Sequence, residues 1–187
     1  MAEQTASNKP VVATISLAGC FGCHMSFLDI DERTTQFIEL FELHKSPLND
    51  IKRFEKRADV GLIEGGVCND ENVEVLRYFR ENCDVLVSVG ACAGYGGLPA
   101  LRNKLPLEEC LVEAYLDAPT AQKGKAIIPH DEELPKLLDQ VYPCHDVVKI
   151  DYYMPGCPPT ADVFWDTLSS VIKGQGFDLP VDLIKYD

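Results

Sequence analysis

Three observations predict an α/β fold, a parallel sheet with helices on both faces. The chain carries short apolar runs rich in β-branched residues and ended by glycine, segments of helical spacing lie between them, and the two kinds alternate. The predicted strands are residues 11–17, 60–63, 85–89 and 147–153, with a short extra strand over 42–45 that Pro47 ends. In such a sheet the carboxyl ends of the strands share one edge, and ligands sit in the crevice outside it.

Residues 1–10 read as a mobile tail. After the first strand, residues 25–41 show a loose helical pattern of apolar positions, interrupted by the charged stretch DIDER. After the strand ending at IEGG, Asn69 or Asp70 is placed to cap a helix whose apolar face is Val73, Leu76, Phe79 and Cys83. Residues 94–116 hold one or two short helices, against which Cys110 packs. The stretch 117–146, with Pro119, Gly124, Pro129, Pro135 and Pro143, is the least regular. The last helix opens at Pro158 and Pro159, shows Phe164, Leu168, Val171 and Ile172 on one face, and ends at Gly174 or Gly176.

Four cysteines stand just past these strands: Cys20 and Cys23 in AGCFGC, Cys92 in GACAGYGG, and Cys157 in PGCPP. Because they follow three different strands, the fold brings them to one edge. Four thiolates suit a tetrahedral zinc or an iron–sulfur cluster. Zinc sites favour two close ligand pairs, whereas here one pair is joined by two lone cysteines, and a Cys-Pro step recurs in cluster-binding runs. Iron–sulfur is the better fit. The glycines at 19, 22, 90, 94, 96, 97 and 156 agree, since a cubane needs backbone close by.

With 187 residues, 46% of them hydrophobic, the chain makes one well-buried domain spanning 1–187. A net charge of −13 argues against a nucleic-acid partner. The first residues show no signal-peptide pattern, and no apolar run reaches the length of a membrane span, so the expected location is the cytoplasm. There the eight cysteines point to metal or redox use rather than disulfides.

The three cysteine motifs together, C-x-x-C, G-x-C-x-x-x-G-G and P-G-C-P-P in that order, resemble the small subunit of [NiFe]-hydrogenases over residues 11–175. IEGG at 63–66 resembles that family's E-G after the third strand. The resemblance implies a flavodoxin-like domain holding one proximal [4Fe–4S] cluster on Cys20, Cys23, Cys92 and Cys157. No cysteine follows Cys157, and the short leaderless form is similar to the small subunit of the cytoplasmic, bidirectional, NAD-reducing enzymes. Many family members have a glutamate before the first cysteine and another cysteine between the pair. Gly19 and Gly22 stand there here, so that glutamate's role does not carry over. The implied partners are a large subunit with the Ni–Fe centre and a diaphorase module with further Fe–S clusters, FMN and NAD. The implied reaction is H2 + NAD+ to NADH + H+, in either direction.

Other residues and readings stay in play. Cys68 also follows a strand and is the rival ligand, while Cys83 is expected in the core. Glu64 is expected as a carboxylate favoured by a helix N-terminus, with a proton-accepting role as the alternative. His24, beside Cys23, could hydrogen-bond a cluster sulfur or meet solvent. Cys144 and His145 lack the spaced partners of a metal site. The rival functions are the cluster subunit of a complex I-like or membrane-bound hydrogenase assembly, a thioredoxin-like dithiol, a zinc protein and an FMN-binding flavodoxin. The loop AGCFGC lacks the hydroxyl-rich character a flavin phosphate needs.

Overall fold

The computed structural model describes residues 9–122, 124–172 and 182. Along the chain run β1 (Val11–Ser16), α1 (Gly22–Leu28), α2 (Arg33–Leu40), β2 (Glu42–Leu43), β3 (Ala58–Glu64), β4 (Val67–Asn69) and α3 (Asp70–Asn82). Then come β5 (Cys83–Val89), α4 (Gly90–Tyr95), α5 (Leu107–Tyr115), β6 (Leu137–Tyr142), β7 (Tyr152–Met154) and α6 (Ala161–Ile172). Five strands form an all-parallel sheet in the order β2-β1-β3-β5-β7. Counted among themselves these strands run 2-1-3-4-5, the flavodoxin-like order, which puts a topological switch point between β1 and β3. β4 and β6 make a separate antiparallel ribbon. No helix among the described residues is long and apolar enough to cross a membrane.

The period-two alternation of the strands builds two cores. Val12, Val60, Leu62, Val87 and Val89 face Phe27, Phe37, Phe164 and Leu168 from α1, α2 and α6. Val11, Ala13, Ile63 and Leu86 face the other way, onto Leu76 and Phe79 of α3. By the same parity Thr14 and Glu64 lie on the α1 side, at the carboxyl ends of β1 and β3. That apolar core therefore ends in a polar cap. Asn69 caps α3 as expected, its side chain accepting the Asn72 N–H at 2.7 Å.

Several elements depart from the sequence reading. The helix expected over 25–41 is two, α1 and α2. The chain turns between them through Asp31 at φ 53, a left-handed conformation that aspartate tolerates better than most residues. Cys83 is fully buried as expected, but as the first residue of β5 rather than on the face of α3. The strand expected over 147–153 shrinks to β7, because the Val147 and Val148 N–H groups bond back to the Cys144 carbonyl at 3.1 Å instead of joining the ladder. The irregular stretch 117–146 contains β6, most of whose side chains are not buried. Of the expected tail over residues 1–10, residues 1–8 lie outside the described residues, while the Pro10 carbonyl accepts the Glu42 N–H at 3.0 Å. The helix stop at Gly174 or Gly176 also lies outside them, and of the Val171 and Ile172 side chains nothing is described.

The approach to β7 is held by a charge cluster. Arg80 Nη1 donates to Asp151 Oδ2 at 2.6 Å, the Leu86 N–H donates to the same oxygen at 2.9 Å, and Lys149 Nζ pairs with Oδ1 at 3.0 Å. Burial alone would raise the Asp151 carboxyl, but these donors outweigh it and hold the group at about 2, against an ordinary value near 3.8. A folded-state value below the unfolded one means stability that is present above pH 4 and lost as pH falls toward 2. By linkage the contribution is about 2 kcal/mol. Asp151→Asn should lose about that much at neutral pH and show a shallower acid limb in urea melts between pH 4 and 2. An unchanged acid limb would contradict the assignment.

Candidate metal centre

The site lies where the loops after β1, β3, β5 and β7 meet. The loop after β1 is stapled to the loop after β3: the Leu17 N–H donates to the Glu64 carbonyl at 2.7 Å, and Ala18 and Gly66 exchange bonds of 2.9 and 2.8 Å. Gly65 permits this approach. It sits at φ +88, and a Cβ there would lie 2.7 Å from the Leu17 carbonyl carbon. Phe21, left-handed at φ 66, then turns the chain into α1, which starts with Gly22 and Cys23. The Gly22 N–H points at Cys20 Sγ, 3.3 Å away.

From the next strand, Gly90 opens α4 at φ +80 and the Ala91 N–H donates to the Gly156 carbonyl at 2.8 Å, which ties the Cys92 loop to the Cys157 loop. A Cβ on Gly90 would run into Cys23 Sγ, and one on Gly97 would sit 3.0 Å from Cys92 Sγ. Ser26 Oγ donates to the Pro159 carbonyl at 2.5 Å and closes the ring between α1 and the last loop.

This arrangement gathers the four cysteines named from sequence. Burial pushes the Cys23 thiol up, and Glu64, Cys92, Cys20 and Cys157 push it further. Cys92 is raised by burial and by Cys157 and Cys20, against a hydrogen bond from the Leu98 backbone. These two half-buried thiols thus feel the other members of the set. Cys20 and Cys157 are exposed.

Among the described residues, no three His, Cys, Asp or Glu side chains stand close enough to hold a single metal ion. Thiols brought together on one sheet edge with glycine backbone around them make a donor set that suits an iron–sulfur cluster.

The remaining cysteines lie elsewhere. Cys68, on β4, is raised by burial against the pull of Arg102. Cys83 and Cys144 are pushed by burial to about 12, and Cys144 Sγ donates to the Gly65 carbonyl at 3.4 Å. Cys110 is half-buried on α5. His145 pairs with Asp146 at 3.6 Å.

Glu64 is 3% exposed at the end of β3 and, as expected of a carboxylate at a helix N-terminus, meets the first turn of a helix; that helix is α1 rather than α3, which Asp70 and Glu71 open. Its Oε2 accepts the His24 N–H at 3.0 Å and contacts His24 Nδ1. His24 itself neither meets solvent nor aims at a sulfur. Its ring stacks on Phe21 at 4.6 Å and its Nε2 lies 2.9 Å from Thr14 Oγ1. Thr14 Oγ1 in turn lies 2.7 Å from Ser46 Oγ. Thr14 and Ser46 were not singled out from sequence. The available signal was a polar residue at an inward position of the run VVATIS.

The family profile described as the NADH ubiquinone oxidoreductase 20 Kd subunit matches residues 20–171. The delta subunit of the NAD-reducing hydrogenase HoxS of Cupriavidus necator is 51% identical over 177 residues, covering 94% of this chain and 85% of that one. A subunit of the F420-non-reducing hydrogenase of Methanothermobacter marburgensis is 38% identical over 93% of this chain, which spans 57% of that subunit's length. Among solved structures, an NAD+-reducing [NiFe]-hydrogenase in the H2-reduced state superposes with a TM-score of 0.92 at 49% identity, over 96% of this chain and 99% of that one. A [NiFeSe]-hydrogenase of Desulfomicrobium baculatum, at TM-score 0.59 and 19% identity, shares the fold.

Proposed function

The chain belongs to the family of the NADH ubiquinone oxidoreductase 20 Kd subunit, and from that premise we propose that it is the electron-transferring small subunit of an NAD-reducing [NiFe]-hydrogenase. The observation that carries the reading is the convergence of Cys20, Cys23, Cys92 and Cys157 on one sheet edge, in a chain 51% identical to such a subunit over nearly its whole length. When bound there, a [4Fe–4S] cluster takes up and releases electrons singly.

This chain's residues bind and orient. Cys20 would ligate from the loop before α1, Cys23 from the first turn of α1, Cys92 from α4 and Cys157 from the loop before α6. The glycines at 90 and 97 leave room beside Cys23 and Cys92. Backbone N–H groups at Gly22 and Leu98 point at sulfur.

The outer side is open in this chain. Cys20 and Cys157 are exposed, and Tyr95 and Leu98, next to the Cys92 loop, are 56% and 71% exposed. Such an apolar rim around a redox site suits a subunit contact. The proposed occupant is a large subunit with the Ni–Fe centre, and the proposed electron route leads on to a diaphorase module holding further Fe–S clusters, FMN and NAD. The proposed location is the cytoplasm, where NAD is reduced. The family profile also favours a second reading, the cluster subunit of a complex I-like or membrane-bound assembly.

Anaerobic co-purification of the tagged chain separates these. Nickel in a larger partner, with H2-dependent reduction of NAD+ by the purified assembly, is the expected result. Iron without nickel would move the chain to the complex I-like reading, and zinc or no metal would end the electron-transfer assignment.

A further inference from the structure

Behind Cys23 runs a chain of four buried polar side chains, Ser46, Thr14, His24 and Glu64, each no more than 4% exposed. It borders a small cavity that Cys23, Thr14, His24 and Glu64 share with Phe27 and Phe164. Its protons can be counted. Ser46 Oγ accepts the Leu48 N–H at 3.1 Å, and among the described residues the acceptor for its own hydrogen is Thr14 Oγ1 at 2.7 Å. With that oxygen accepting from Ser46, the Thr14 hydrogen goes to His24 Nε2 at 2.9 Å. Nε2 is then an acceptor, the imidazole is neutral, and its one hydrogen sits on Nδ1, directed at Glu64 Oε2. The same oxygen takes the His24 backbone N–H at 3.0 Å. Oε2 thus accepts twice, from Nδ1–H and from the backbone, as a carboxylate oxygen does. Every hydroxyl and ring hydrogen of these four side chains is used, as burial demands.

We propose that Glu64 is a fixed buried negative charge behind Cys23, held ionised by hydroxyls relaying through neutral His24, and that it keeps the reduction potential of the bound cluster low. The inference rests on the proposed cluster. Adding an electron next to an uncompensated anion is unfavourable, and inside the protein neither water nor salt screens the interaction well. Net charge and hydrogen bonding near the sulfurs are the levers that set such potentials. The influence of Glu64 reaches both Cys23 and Cys92. Thr14 and Ser46 are positioning residues, since they act through His24.

The test is a redox titration of the anaerobically purified assembly, followed by paramagnetic resonance, with iron counted per copy of this chain. With iron retained, Glu64→Gln should make the cluster at least tenfold more reduced at a given ambient potential, an upward shift of about 59 mV for one electron. Glu64→Asp, which keeps the charge, should stay close to the parent, and so should Glu39→Gln at an exposed position. An unshifted potential in Glu64→Gln with full iron overturns the proposal, as does an equal shift in Glu39→Gln. If Glu64→Gln loses its iron, Glu64→Asp decides. A parent-like potential supports the fixed charge, whereas an upward shift or loss of iron makes Glu64 a structural prop. A parent assembly without iron would instead sink the cluster reading itself.

Discussion

Cys92→Ala should strip the iron from this chain, taking it from about four atoms per copy to near none and removing H2-dependent reduction of NAD+. Cys92 is half-buried on α4, and its thiol interacts with Cys157 and Cys20. Removing one of the four proposed ligands should leave an iron without a replacement donor, since Cys83 and Cys144 are fully buried elsewhere and Cys68 stands on β4 beside Arg102. Cys68→Ala and Cys110→Ala should therefore keep the metal. Iron analysis of the three variants checks the ligand set, and iron lost from Cys68→Ala but kept in Cys92→Ala would overturn it.

Gly90→Ala should be nearly as damaging although it removes no ligand. At φ +80 an alanine costs about 1–2 kcal/mol in backbone strain alone. The larger harm is steric, because the added methyl would occupy the space of Cys23 Sγ and sit 3.4 Å from the Gly156 carbonyl that the Ala91 N–H uses. Cys23 and the Cys157 loop would both have to move. Gly94→Ala, four residues on in the same helix, has open space around its Cβ and should be neutral or stabilising by about 0.5–1 kcal/mol. Thermal melts and iron content of the two variants give the comparison. Equal behaviour would show that the close approach at Gly90 does not shape the site.

The fold was legible where patterning is strong. Val85 to Val89 and the run from Val11 are apolar enough, and close enough to glycine, to announce buried parallel strands, and β-α alternation then fixes which ends share an edge. Hence Cys20, Cys23, Cys92 and Cys157 could be grouped from spacing. The ribbon of β4 and β6 was not legible, because Leu137 to Tyr142 buries little besides Val141 and so carries no clear period. The break between α1 and α2 rests on the single left-handed residue Asp31. The His24–Glu64 pair escaped for another reason. It joins residues 40 positions apart directly, with Thr14 on the other ring nitrogen, and nothing in a one-dimensional pattern says that an inward Thr and an inward Glu will share a residue of a helix's first turn. Parity placed them on one face, but only the packed structure shows that they share a histidine.

The role proposed for this chain depends on its holding one [4Fe–4S] cluster on four named thiols. The most direct test is the iron and acid-labile sulfide content of the anaerobically purified assembly, counted per copy of this chain after its partners' share is subtracted, with low-temperature paramagnetic resonance of the reduced sample. About four iron and four sulfide, with a signal that disappears in Cys92→Ala, is the predicted result. A single zinc, or metal-free thiols that titrate freely, would contradict it.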